Sequence, residues 1–118
     1  MFKNTASQTI SLLVIDTATN LPKTGDSANL TFYYKLDGGS VTALTASPTE
    51  DSATNAPGIY TATLTQAETN GDKINFSGKS TTSDVRVVPI LLFTTPQYFS
   101  TLGINSSGHI SRVTLADT

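Results

Sequence analysis

Cysteine is absent from this chain of 118 residues, which excludes a disulfide framework and any thiolate metal site and leaves the compartment open. Charge is scarce as well. Charged residues make up 14% of the sequence, well under the usual quarter, and the net charge is -2. The seven Lys and Arg are scattered singly, so no basic stripe offers itself to nucleic acid. The longest apolar run, residues 87–93, is far too short to cross a bilayer. Met1-Phe2-Lys3-Asn4 is not followed by the apolar run and small-residue cleavage site of a secretory leader, and no secretion signal is expected. Histidine occurs once, which starves most catalytic and metal-binding arrangements of a second imidazole.

Ser and Thr are abundant, at roughly three residues in ten. Thr fits a pleated surface, and disorder usually comes with high charge, so the composition favours a Thr-rich β protein of one domain. About seven strand candidates follow one another. In residues 10–15, Ile10, Leu12 and Val14 share one face while Leu13 and Ile15 share the other, which predicts burial on both sides. Leu30, Phe32, Tyr34 and Leu36 alternate with Thr31, Tyr33 and Lys35, the cleanest half-buried strand. Asp37-Gly38-Gly39 reads as a hairpin turn leading to a return strand over residues 41–44. Residues 46–57 are looser and hold a short edge strand at most. Tyr60, Ala62 and Leu64 then alternate with Thr61 and Thr63. Thr65 and Glu68 form a T-x-x-E capping box that starts one helical turn, Asn70-Gly71 ends it in the left-handed region, and Ile74 and Phe76 resume the alternation. Such a corner carries a chain from one sheet of a sandwich to the other.

Residues 85–93 read as the most hydrophobic strand. Val85, Val87, Leu91 and Phe93 point one way, and Val88, Ile90 and Leu92 the other. Pro89 in its middle donates no ladder hydrogen bond, which places the strand at an edge or bulge. An edge strand apolar on both faces is either covered by another part of the chain or is a contact surface. Thr95-Pro96 closes the compact domain. Tyr98, Phe99, Leu102 and Ile104, then the turn Asn105-Ser106-Ser107-Gly108, then Ile110, Val113 and Leu115 read as a hairpin-like arm that needs a docking surface to be ordered. The protein-interface residues expected are therefore Val88, Ile90, Leu92, Tyr98, Phe99, Leu102, Ile104, Ile110, Val113 and Leu115. The organisation is a lead over residues 1–7, a sandwich over 8–95 and an arm over 96–118.

Chemistry-bearing motifs are sparse. His109 stands alone beside a turn glycine, and no G-x-S-x-G elbow accompanies the many serines. Asp16, Asp26, Glu50, Asp51 and Asp84 could gather around calcium at one end of a sandwich. No D-x-D-x-D-G loop is present, so they read as solvated loop acids. Asp37-Gly38-Gly39 lacks the helix and lysine of a phosphate loop. Asn29-Leu30-Thr31, Asn75-Phe76-Ser77 and Asn105-Ser106-Ser107 match the glycosylation sequon by chance in a chain so rich in these residues. No catalytic residue, metal ligand or cofactor is expected. Tyr33 is a single outward ring.

Ile10-Ser11-Leu12-Leu13-Val14-Ile15-Asp16, Leu21-Pro22-Lys23-Thr24-Gly25, Leu30-Thr31-Phe32-Tyr33-Tyr34-Lys35, Asp37-Gly38-Gly39 and the stretch from Gly58-Ile59-Tyr60 through Leu64-Thr65-Gln66-Ala67-Glu68-Thr69-Asn70-Gly71-Asp72 together resemble the immunoglobulin-like or prealbumin-like β-sandwich modules of tailed-phage virion proteins. The resemblance covers about residues 8–95. Residues 98–118 are similar to linker segments that follow such modules in phage fibre-like proteins. What the resemblance implies is an all-β, immunoglobulin-like two-sheet sandwich of about seven strands with one short helical turn and a C-terminal arm. It implies a non-enzymatic virion structural protein at the capsid or tail surface, of capsid-decoration or head-fibre type, and it transfers no active-site residue. The end of the chain at Thr118 favours a small accessory protein over a long fibre. Partners expected are other virion proteins, major capsid or tail proteins, and further copies of the chain, a trimer included; neither nucleic acid nor a membrane is expected. A tail or tail-fibre adaptor is the alternative. A carbohydrate or host-surface module using Tyr33 and residues 46–57 is the second.

Overall fold

Alternation of apolar and Thr-rich positions builds two antiparallel sheets, which face each other across one core. The computed structural model describes residues 1–96. The first sheet contains β1 (Thr9–Asp16), β2 (Leu21–Pro22), β5 (Thr49–Ser52), β6 (Ala56–Thr63) and β8 (Val85–Val87); β1 pairs with β6 over most of its length and with β2 and β8 at its far end. The second contains β3 (Leu30–Leu36), β4 (Thr42–Ala43), β7 (Lys73–Ser80) and β9 (Ile90–Phe93), in the order β4-β3-β7-β9. The fold is the all-β sandwich that the alternation predicts.

Ile10, Leu12 and Val14 of β1 and Tyr60 and Ala62 of β6 meet Phe32 of β3 and Ile74 and Phe76 of β7 in the core. Burying each of the large side chains contributes about 1.5–3 kcal/mol of transfer free energy. The corner between the sheets forms as its capping box dictates. The Thr65 N–H donates to Glu68 Oε1 at 2.9 Å, and the Glu68 N–H to Thr65 Oγ1 at 3.4 Å. Glu68 is buried, and its other oxygen accepts the Thr45 N–H at 2.8 Å, so the carboxylate also holds the chain after β4.

Three local expectations change. Leu13 is 37% exposed, so β1 is buried on one face and not on both. Asn70 ends its turn at φ -87, ψ 55 and not in the left-handed region. A Cβ at Gly71 would lie 3.0 Å from a methyl carbon of Leu36, closer than an ordinary contact. The β3–β4 hairpin turns at Asp37-Gly38-Gly39 as expected, with the positive φ, 47°, at Asp37, whose carboxylate accepts the N–H groups of Asp72 and Lys73.

The third change concerns residues 85–93, which are two strands and not one. Val85 and Val87 face the core from the first sheet. The Val88 N–H makes the last bond to that sheet, to the Leu13 carbonyl, and Pro89 crosses the gap. Ile90 and Leu92 then face the core from the second sheet. The inward set is 85, 87, 90 and 92, a phase slip that imitates a strand apolar on both faces.

Residues 1–7 join the sandwich. Phe2 forms a parallel bridge with Thr95; the Lys3 N–H donates to the Thr95 carbonyl and the Thr95 N–H to the Met1 carbonyl, each at 3.0 Å. The hydroxyl of buried Thr69 accepts the Thr5 N–H at 2.8 Å, and Lys3 Nζ lies 2.9 Å from Asp72.

Candidate functional site

The outer faces of the two sheets differ: hydroxyls dominate one end of the first, with Leu13 exposed beyond them, and more exposed apolar side chains stand among lysines on the second. On the first, Thr9 lies opposite Thr63, and Ser11 opposite Thr61, which is in turn opposite Thr49. Ser11 and Thr61 share a hydroxyl hydrogen bond of 2.6 Å, so this face satisfies part of its own polarity. On the second, alternation turns Tyr33 and Lys35 of β3, Lys73, Asn75, Ser77 and Lys79 of β7, and Leu91 and Phe93 of β9 away from the core. Register sets them in rows: Lys35, Asn75 and Leu91; Tyr33 and Ser77; Lys73 and Phe93. Lys79 Nζ sits 5.7 Å from the centre of the Tyr33 ring, a cation–π contact worth about 0.5–1 kcal/mol at an exposed site.

A groove of about 390 Å³ runs along this face. Asn75 and Ser77 form its floor, Lys35 and Val41 one bank, and Pro89 and Leu91 the other. Val41 is 62% exposed, Leu91 50% and Phe93 69%. Lysine stems and exposed apolar side chains together make a surface suited to protein contact, since both apolar area and charge steering are available to a partner.

The interface residues expected from sequence are dispersed. Val88 is half-buried beside Leu13 on the first sheet. Ile90 and Leu92 pack against the core and do not form an outward row; the side chains that β9 turns outward are Leu91 and Phe93. Tyr98, Phe99, Leu102, Ile104, Ile110, Val113 and Leu115 lie outside the described residues, as does His109.

The loop acids serve the fold. Asp16 Oδ1 accepts the Ala18 N–H at 2.9 Å, and the two oxygens of Glu50 accept the N–H groups of Gly25 and Gly58. Asp26 is 3% exposed and is no solvated acid. It accepts Ser80 Oγ at 2.6 Å, Thr82 Oγ1 at 2.7 Å and Asn29 Nδ2 at 3.1 Å. Burial pushes its carboxyl upward, but these three donors, with Lys23 nearby, outweigh burial and hold it below the ordinary value. The Asp26 N–H donates to the Tyr60 hydroxyl, which donates to the Lys23 carbonyl at 2.7 Å. Burial, with Glu50 and Asp26 adding to it, raises the Tyr60 phenol. Nothing in sequence marked this knot except the abundance of hydroxyls around one aspartate. Among the described residues, no three His, Cys, Asp or Glu side chains are grouped to hold a metal ion, and no helix is long and apolar enough to cross a membrane.

No family model, curated protein or solved structure matches this chain. Its function is therefore read from the surface geometry and the sequence pattern.

Proposed function

We propose that the protein is a non-enzymatic structural component of a tailed-phage particle, of the capsid-decoration or head-fibre type, which seats on other virion proteins through the outer face of its second sheet. The observation that carries the reading is the contrast between the two outer faces. The first sheet presents paired Thr and Ser over Thr9, Ser11, Thr61 and Thr63, with Leu13 exposed to 37% beyond them, whereas the second presents the more exposed Leu91, Phe93 and Val41 among lysines. A partner that covers Leu91 and Phe93 removes exposed apolar area from water, and Lys35 and Lys73 favour an acidic counterpart. The Thr-rich face stays in solvent. The resemblance of residues 8–95 to phage virion modules supplies the context.

Co-sedimentation of the purified chain with empty capsids and, separately, with tails tests this. Saturable binding to capsids that Phe93→Asp abolishes is the expected result. Binding that follows the tails instead would make the protein a tail adaptor, and binding to neither would overturn the reading.

A further inference from the structure

We propose that residues 97–118 of a second copy add to the open edge of β9 as an extra antiparallel strand, so that copies of the protein exchange C-terminal arms. The proposal rests on the reading of the β9 side as the contact surface. β9 is the last strand of its sheet, with β7 on one side and no strand on the other among the described residues. The direction of its backbone groups follows from its neighbours. The Thr94 N–H donates toward β7, to the Asp72 carbonyl at 2.9 Å, and the Thr95 N–H donates the other way, to Met1. Alternation along the strand then points the N–H and C=O groups of Leu91 and Phe93 at the open edge. The same two residues carry exposed apolar side chains. An added strand would satisfy the backbone and flank both side chains with its own, which leaves the outer face of the sheet to a particle partner.

The occupant follows from what leaves β9 and from what blocks its return. Past Pro96 the sequence places Tyr98, Leu102 and Ile104 an even number of residues apart, the period that puts side chains on one face of a strand once one forms. Folding this segment back on its own β9 through a hairpin loop of about 2–5 residues would put it beside Thr94 and Thr95. Residues 1–3 already hold that place through the bridge to Thr95. Among the described residues no strand pairs with the edge at Leu91 and Phe93, which leaves it to a strand that arrives from outside, and an identical chain brings the matching apolar segment.

The absence of cysteine makes the test direct. Full-length chains carrying Phe93→Cys are mixed with full-length chains carrying one of Tyr98→Cys, Ser100→Cys, Leu102→Cys or Ile104→Cys, and the mixtures are oxidised mildly. Two opposed antiparallel residues have Cα atoms about 4.5–5.5 Å apart, within disulfide range. The expected result is a disulfide between the two different chains at one or two adjacent same-face positions, at least tenfold over a Thr63→Cys control on the first sheet. Leu91→Pro, which removes an outward N–H and an outward side chain and touches neither the core nor the bonds to β7, is expected to lower the cross-linked fraction at least tenfold, with the circular dichroism of the wild type. A disulfide that forms within single chains carrying both cysteines, at monomeric mass, would overturn the proposal in favour of the chain's own arm. Equal cross-linking at 93 and 63 would overturn it too. If Phe93→Asp abolishes particle binding while no disulfide between 93 and 98–104 forms, arm exchange fails and the contact surface stands; if the disulfide forms and Phe93→Asp leaves particle binding intact, the reverse holds.

Discussion

Asp26→Ala would strip three donors of one acceptor in a place that water reaches poorly. Ser80 Oγ, Thr82 Oγ1 and Asn29 Nδ2 all donate to this carboxylate, within 2.6 to 3.1 Å. A hydrogen bond to a charged group contributes about 1.5–3 kcal/mol, and the partly buried hydroxyls of Ser80 and Thr82 can turn toward water, so each loss falls at or below the lower end. Relief of the buried charge offsets part of the sum, and the net destabilisation comes to about 2–3 kcal/mol. For a domain of this size that is a fall of about 10 °C in Tm. Asp26→Asn keeps the shape and one acceptor oxygen and is expected to cost about half as much. The carboxyl titrates below 3.8 when folded, so its contribution is present in full above that value and is lost as the pH falls through the lower folded value. Urea unfolding followed by far-UV circular dichroism, on wild type and Asp26→Asn from pH 7 down to pH 2, reads both effects. The gap between the two should be constant near neutrality and close below pH 3.8. A gap that stays the same down to pH 2 would refute the assignment of a charged, hydrogen-bonded Asp26.

Three further outcomes are expected. Leu92→Asp should unfold the domain or cost about 3 kcal/mol or more by placing a charge against the core, whereas Leu91→Asp should leave the unfolding free energy from urea titration within about 0.5 kcal/mol of wild type. Gly58→Ala should cost about 2 kcal/mol or more, since Gly58 has φ +78 and an added Cβ would lie 2.7 Å from Pro22 Cβ and 2.8 Å from the Val14 carbonyl oxygen; an unchanged thermal midpoint would show that this contact relaxes freely. Tyr60 should form no tyrosinate until the fold opens: its raised phenol lends stability that is full below pH 10 and declines as the pH rises through the folded value, so one of the four tyrosines should titrate at 295 nm in step with alkaline unfolding.

The alternation in β3 and the reciprocal Thr65–Glu68 cap could be read directly, because each is set by neighbours within a few positions. The split of residues 85–93 could not. Two short strands facing one core from opposite sheets leave the same apolar record as one strand buried on both sides, and only the pairing of Val87 with β1 and of Ile90 with β7 separates them. Pro89 marked the break without saying which side of it faced inward. Asp26 was hidden for a different reason: its partners Ser80 and Thr82 are remote in sequence and ordinary in a chain full of hydroxyls. Alternation counted straight through residues 85–93 groups Leu91 and Phe93 with Val85 and Val87 and turns Ile90 and Leu92 the other way; β9 turns Ile90 and Leu92 to the core and Leu91 and Phe93 outward, and in a strand one residue is the difference between core and solvent.

The bridge between Phe2 and Thr95 bears on how the sandwich carries mechanical load. Residues 1–3 run parallel to residues 94–96, tied by the Lys3 N–H and the Thr95 N–H. Tension applied between residue 1 and residue 96 slides two parallel segments past each other, so both bonds are strained together in shear, whereas tension across the ends of the β3–β4 hairpin would open its bonds one by one. Lys3→Pro, which deletes one of the pair, should lower the rupture force in single-molecule pulling from those two positions. A tether anchored through Pro96 would thus transmit its pull into a clamp that yields only when its bonds break in concert.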